Sequence, residues 1–289
     1  MISALTRLPG SSFELTLTFP WPEVKKIYDV VFAEVAAEIE VEGFRKGKAP
    51  ENLIAQKVDK SKVYGEVVNR LLPEAYSKAL DEYKLKPIIS PKIQIVSGEE
   101  GKDWQFKAVA AERPQVVLDN YREMVKGINA KGKIWTPGST QDLNPQEDEK
   151  KKAEDQSRKI SEIVQKLLEI CKVELPELLA ESETNKLVTQ LVDDVRQAGL
   201  TFEQYLQSSG QTAEQLQQKY RQQAEAALKM EFILEAIADD LDIRITQQDV
   251  ESVINKETDP EKKKALTAQS YLLASILRRE QTLTKLANL

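Results

Sequence analysis

Apolar residues fill every second position from Phe13 to Phe19, with Glu14, Thr16 and Thr18 between them, a period that predicts a half-buried β-strand. Past Pro20 and Pro22 the period changes. Val24, Ile27, Tyr28, Val31, Val35 and Ile39 share one face of a helix, with Pro22 well placed at its start. Leu53, Ile54 and Val58 mark a second helical stretch. A third is predicted from Lys62 to Tyr83 on Val63, Val67, Leu71, Ala75, Ala79 and Leu80, with Pro73 as a point of kinking. Alternation returns over Lys92–Val96 and Trp104–Val109, separated by the turn-forming run from Ser97 to Lys102, which predicts a hairpin. The order of strand, helices and hairpin predicts an α+β N-terminal domain with a small antiparallel sheet, over residues 1–113.

Residues 114–144 break this regularity. Val116, Val117, Leu118 and Tyr121 suit an extended segment lying along another surface. Gly127, Gly132, Pro137, Gly138, Ser139 and Pro145 then interrupt any regular element and mark a linker, in which Trp135 reads as a packed anchor. From residue 145 to 289 the pattern is helical throughout, with helices expected at 146–172, 176–198, 202–209, 212–241, 246–256 and 260–287. Thr201 with Gln204 and Thr212 with Gln215 fit the capping box, and Thr246 with Asp249 gives an acidic version. Asp259–Pro260 supplies a cap followed by proline at the first helical position, and Gly199 and Gly210 fall where helices should stop. The apolar stripes are narrow and interrupted by Gln, Lys and Glu. Long helices of that kind predict an all-α, elongated C-terminal domain with helical arms.

Composition narrows the chemistry. A chain of 289 residues with 41% hydrophobic content can bury a core, and its net charge of -6 argues against bulk attraction to nucleic acid. Histidine is absent, which excludes His-based acid–base catalysis, the Ser-His-Asp triad and most zinc ligand sets. The single cysteine, Cys171, sits in the helical apolar pattern of Leu167, Leu168 and Ile170 and reads as a buried thiol. One cysteine allows no disulfide within the chain, in keeping with a reducing compartment. Met1–Gly10 carries no apolar run of signal-peptide length and no segment reaches membrane-span length, so a cytoplasmic protein with no membrane partner is expected.

One stretch departs from the acidic average. Between Gly43 and Lys62 stand six cations (Arg45, Lys46, Lys48, Lys57, Lys60, Lys62) against two acids, Glu51 and Asp59. At its head, Gly43-Phe44-Arg45-Lys46-Gly47-Lys48-Ala49-Pro50 places a ring and three cations on a segment that the glycines and the closing proline make a loop. A phosphate-cradling loop needs four residues between its glycines and a Ser or Thr after the lysine; here three intervene and Ala49 follows. A basic tip on an acidic body instead orients the molecule toward an anionic partner. A solvated loop whose cations only aid solubility is the alternative reading.

Gly43 to Pro50 resembles the ribosome-docking signature of trigger factors, bacterial chaperones of the polypeptide exit tunnel. The resemblance continues through the preceding helix, Asn52-Leu53-Ile54-Ala55-Gln56 and the closing hairpin. It resumes at Val173-Glu174-Leu175-Pro176-Glu177 and runs through Gly199–Leu206, Gly210, Thr212–Leu216 and Ile237-Ala238, covering most of 1–113 and 145–255. It implies a ribosome-binding N-terminal domain whose Phe44, Arg45 and Lys46 touch the large ribosomal subunit near the exit tunnel, both protein and adjacent rRNA. Gly43, Gly47, Lys48 and Pro50 would shape that contact.

The resemblance further implies an ATP-independent chaperone that shields nascent unfolded polypeptides, without a cofactor. Family members insert an isomerase domain of the FKBP type, roughly one hundred residues long, between these two parts. Only residues 114–144 stand there, so prolyl isomerase activity is expected to be missing. Residual isomerase activity, a ribosome assembly factor and a periplasmic chaperone are the rival readings. Monomer and homodimer both stay open for the free protein.

Overall fold

The computed structural model describes residues 1–38, 58–131, 145–257 and 259–289. They form two compact units: Met1–Arg113 with Pro176–Leu179, and Pro114–Leu175 with Ala180–Leu289.

In the first unit β1 (Ile2–Leu8) and β2 (Ser12–Phe19) form a hairpin, followed by α1 (Trp21–Glu38), α2 (Lys60–Tyr83), β3 (Lys92–Ser97) and β4 (Trp104–Ala111). The four strands make one antiparallel sheet in the order β1-β2-β4-β3. The register pairs Phe13 with Ala110, Leu15 with Ala108, Leu17 with Phe106 and Phe19 with Trp104, so all eight side chains share one face. That face is buried against Val24 and Val31 of α1 and Val63, Val67, Ala75 and Ala79 of α2. Period-two alternation on the strands and period-four spacing on the helices therefore meet in one core. Pro73 lies inside an unbroken α2, which Asp59 caps by accepting a hydrogen bond from the Ser61 amide at 3.0 Å.

Strand β1 was not anticipated. It pairs with β2 along its whole length from Ile2–Thr18 to Leu8–Ser12, yet buries no residue fully. The ladder, rather than an apolar stripe, holds it in place, and its sequence carries correspondingly little signal.

The second unit is helical: α3 (Tyr121–Lys131), α4 (Pro145–Ile170), α5 (Glu177–Gln197), α6 (Phe202–Ser209), α7 (Ala213–Asp240), α8 (Gln247–Lys256), α9 (Pro260–Ala268) and α10 (Ser270–Ala287). A short ribbon joins β5 (Val116–Val117) to β6 (Lys172–Val173). Its core gathers Tyr121, Val125 and Ile128 from α3, Ile163 and Leu167 from α4, Ile233, Leu234 and Ile237 from α7, and Leu286 from α10.

Three details differ from the sequence expectation. Gly127, read as part of a linker, lies within α3, whose other residues pack well enough to outweigh the helix cost of about 1 kcal/mol that glycine carries. Lys172, placed at a helix end, is in β6, because Val116–Val117 offers it a ladder. The last helix, expected to be continuous, breaks at Gln269 into α9 and α10 with no glycine or proline to mark the break. The capping residues behave as their types require. The boxes at Thr201, Thr212 and Thr246 have both arms formed, Asp259 caps α9, and Gly199 and Gly210 are left-handed with φ of 77° and 65°.

Helix α3 is latched to the end of α7. The Tyr121 hydroxyl donates to the Asp240 carboxylate, and Arg122 donates to the same carboxylate through Nε at 3.1 Å and Nη2 at 2.7 Å. These bonds hold the Asp240 carboxyl below its ordinary 3.8. A depressed carboxyl contributes stability that is complete above that value and lost as the pH falls below it, through the folded pKa. The hydrogen-exchange protection factors of α3 should therefore fall below the ordinary aspartate value in the wild type, while Asp240→Asn, already without the charge, should show no such step.

Cys171 is buried beside the Leu118 carbonyl, 3.7 Å from its sulfur. Burial, with help from Asp119, pushes its thiol up to about 11. An iodoacetamide reaction at pH 8 should be slow in the native protein and fast after urea unfolding, because only the thiolate reacts.

Candidate functional site

The basic loop stands between α1 and α2, and its seven candidate contact residues, Gly43, Phe44, Arg45, Lys46, Gly47, Lys48 and Pro50, lie outside the described residues. So do Leu53, Ile54 and Ile39 of the flanking pattern, and Trp135. The helices that precede and follow this segment among the described residues are α1 and α2.

An aromatic column ties them to the sheet. Tyr28 of α1 stacks with Phe32 and meets Tyr64 of α2 at 5.4 Å between ring centroids. Tyr64 meets the buried Trp104 edge-on at 5.5 Å, and Trp104 meets Phe106 at 6.1 Å. Such contacts add about 0.5–1.5 kcal/mol each beyond burial. Their geometry is directional, so they fix the angle as well as the distance between the helices. The Tyr64 hydroxyl donates to Glu100 at 3.1 Å, and Lys60 reaches the same carboxylate at 3.4 Å, pinning the start of α2 to the β3–β4 turn. Burial and the Glu100 bond push the Tyr64 phenol up to about 12. One helical turn and a half further on, Arg70 forks onto Glu34 of α1 at 3.1 and 2.6 Å and also binds Glu66 at 3.0 Å. Helix α2 is thus fixed to α1, to β4 and to the β3–β4 turn.

A second surface is in the helical unit. Helices α7 and α10 part to leave an open groove of about 410 Å³. Its floor is apolar (Leu234, Ala238, Ile245), and its α10 wall presents Tyr271, Leu272 and Ile276, exposed by 90%, 53% and 52%. Large apolar side chains at such exposure on adjacent turns form a patch rather than scattered residues. Glu231, Glu235, Arg278 and Arg279 edge it. Arg278 is committed to Asp239 at 2.5 Å and to the Ile243 carbonyl at 2.9 Å. Burial and the neighbouring Glu235 carboxylate raise the Glu231 carboxyl, against the pull of Arg279. The groove can receive apolar side chains with a charged rim around them. Sequence reading assigned none of its residues to client binding, and Ala238 was noted only as part of the family resemblance. The apolar run Tyr271-Leu272-Leu273, directly after the polar α9, was the signal available.

The fold defines a two-unit protein: an α+β unit with a four-stranded antiparallel sheet, and a mostly helical unit with one short two-stranded ribbon. The family model described as bacterial trigger factor protein matches residues 1–131, and the model for the trigger factor C-terminus matches residues 139–288. The chain belongs to the trigger factor family. The two matches leave only residues 132–138 between them, and neither is an isomerase domain. Trigger factors of Staphylococcus aureus strains JH9 and Newman are each 35% identical over 122 residues, 42% of this chain and 28% of the relative. The chain thus spans less than a third of the length of those relatives. A solved structure of the trigger factor chaperone, described for promiscuous substrate recognition in folding and assembly activities, is similar over 100% of this chain and 99% of that one. The TM-score is 0.69 at 12% identity, a likeness of fold. Among the described residues no helix is long and apolar enough to cross a membrane.

Proposed function

We propose that this protein is an ATP-independent chaperone of the bacterial cytoplasm that docks beside the ribosomal exit tunnel and shields emerging unfolded polypeptides. The observation that carries the reading is the match of both trigger factor models, N-terminal and C-terminal, to one chain. Docking falls to residues 43–50. Phe44 fills an apolar pocket, Arg45 forks onto a carboxylate or phosphate of protein or adjacent rRNA, and Lys46 and Lys48 add point charges. Gly43, Gly47 and Pro50 set the turn. The aromatic column and the Arg70 fork, which tie together the helices preceding and following this segment in the chain, support this assignment.

Holding falls to the helical unit, where the α7–α10 groove offers shallow apolar contact. Shallow contacts suit clients of undefined sequence because each is made and released separately. Only residues 132–138 separate the two family matches, too few for an isomerase domain, and the protein has no prolyl isomerase activity. Released from the ribosome it is free to associate with a second copy, which would cover the same apolar groove.

The test is made without ribosomes. The purified protein should suppress aggregation of a chemically denatured client at near-equimolar ratio, and Leu272→Asp with Ile276→Asp should lose most of that effect. In the same preparation, cis/trans isomerisation of a proline peptide should run at its spontaneous rate. Unimpeded client aggregation would refute the holding role and favour an assembly factor, and accelerated isomerisation would refute the non-catalytic one.

A further inference from the structure

Among the described strands β3 is hydrogen-bonded to β4 alone and forms the edge of the sheet. Register places Ile93 opposite Ala108 and Ile95 opposite Phe106, hence on the face of the sheet that the helices cover. Ala108 and Phe106 are fully buried there, but Ile93 and Ile95 are 38% and 66% exposed. The helix layer leans the other way. The far end of α2 reaches β1, where Ser3 donates to Glu82 at 2.8 Å and Tyr83 donates to the Ser3 carbonyl at 3.0 Å. Val96, at the irregularity between Ile95 and Ser97, and Ile88 nearby in sequence are half exposed as well. An edge strand and uncovered apolar side chains on it are the two requirements of strand addition.

We propose that the β3 edge docks an extended segment of unfolded polypeptide with alternating apolar residues, which adds as a fifth strand and lays its side chains beside Ile93 and Ile95. The nature of the occupant rests on the chaperone reading; the existence of the site rests on the sheet. A second copy of the chain fits less well. Self-pairing would use only Lys92–Ser97, about 20 Å of strand at 3.4 Å per residue, far less contact than the roughly 1,200 Å² that a stable interface buries. The irregularity after Ile95 would also interrupt a two-fold ladder. A peptide needs only the regular stretch Lys92–Ile95 and can bend beyond it. The resulting contact is weak, as release of a growing chain demands.

The experiment measures fluorescence anisotropy of a labelled peptide of alternating Val and Thr with the full chain. The same peptide N-methylated at every amide, which has no N–H left on either edge to form the ladder, and the variant Ile95→Lys serve as comparisons. The ladder and the side-chain pairing each predict about fivefold weaker binding when removed, with the circular dichroism of Ile95→Lys unchanged because that side chain is exposed. Equal binding of the N-methylated peptide, or no effect of Ile95→Lys, would overturn the proposal. So would a concentration-dependent dimer that Ile95→Lys dissolves and the peptide does not compete, which would give the edge to a second copy. No ribosome is present, so failure here leaves the docking reading standing, and failure of ribosome binding leaves the edge standing.

Discussion

Trp104→Ala is expected to destabilise the first unit by about 4 kcal/mol, the range for removing a buried tryptophan from a packed core. Trp104 is 1% exposed and lies between the rings of Tyr64 and Phe106, while its indole N–H donates to the Glu99 carbonyl at 3.2 Å. Its loss removes two ring contacts and one hydrogen bond and leaves a void beneath the α2 start. Urea unfolding followed by circular dichroism measures the cost. Trp104→Phe should recover more than half of it, because a ring still fills the space under Tyr64. The same lesion should weaken ribosome binding without touching the loop, since Tyr64 and its Glu100 bond would lose their backing. A Trp104→Ala protein as stable as the wild type would contradict the assigned core.

Arg45→Ala is expected to weaken ribosome binding by about 2 kcal/mol, close to thirtyfold in affinity, as for a charged hot-spot residue. Arg45→Lys should recover only part of this, because an ammonium cannot reproduce the two parallel bonds of a guanidinium. Sedimentation with ribosomes at two salt concentrations separates the effects. The wild-type affinity should fall with salt more steeply than that of the alanine variant, and equal slopes would show that Arg45 makes no ionic contact.

What could be read from the sequence follows the range of the interactions involved. The boxes at Thr201, Thr212 and Thr246 join residues three apart, so composition alone located three helix starts. The inward alternation of β2 and β4 and the stripes of α1 and α2 were equally visible, because one face of each is dry. Strand β1 escaped notice because its register comes from β2 and its inward positions include Ser3 and Arg7. The extended character of Val116–Val117 was legible, but its pairing with Lys172–Val173 escaped because the two halves of the ribbon stand far apart in the chain. Helix α3 was hidden by Gly127, whose propensity is overruled by Tyr121, Val125 and Ile128 in the core.

The candidate sites divide along the same line. The 43–50 loop announces itself through local chemistry, a ring and three cations between glycines. The α7–α10 groove and the β3 edge do not, since each depends on which element lies beside which. Ile93 and Ile95 look in sequence like any core-facing strand residues; only the helix layer ending short of them makes them a surface.

The central claim is that the 43–50 loop is what attaches this protein to the ribosome. Co-sedimentation of wild type against a Phe44/Arg45/Lys46 triple alanine variant with purified ribosomes tests it most directly. The account predicts that wild type pellets with ribosomes, and that the variant stays in the supernatant while still suppressing client aggregation. A variant that pellets like wild type would contradict it.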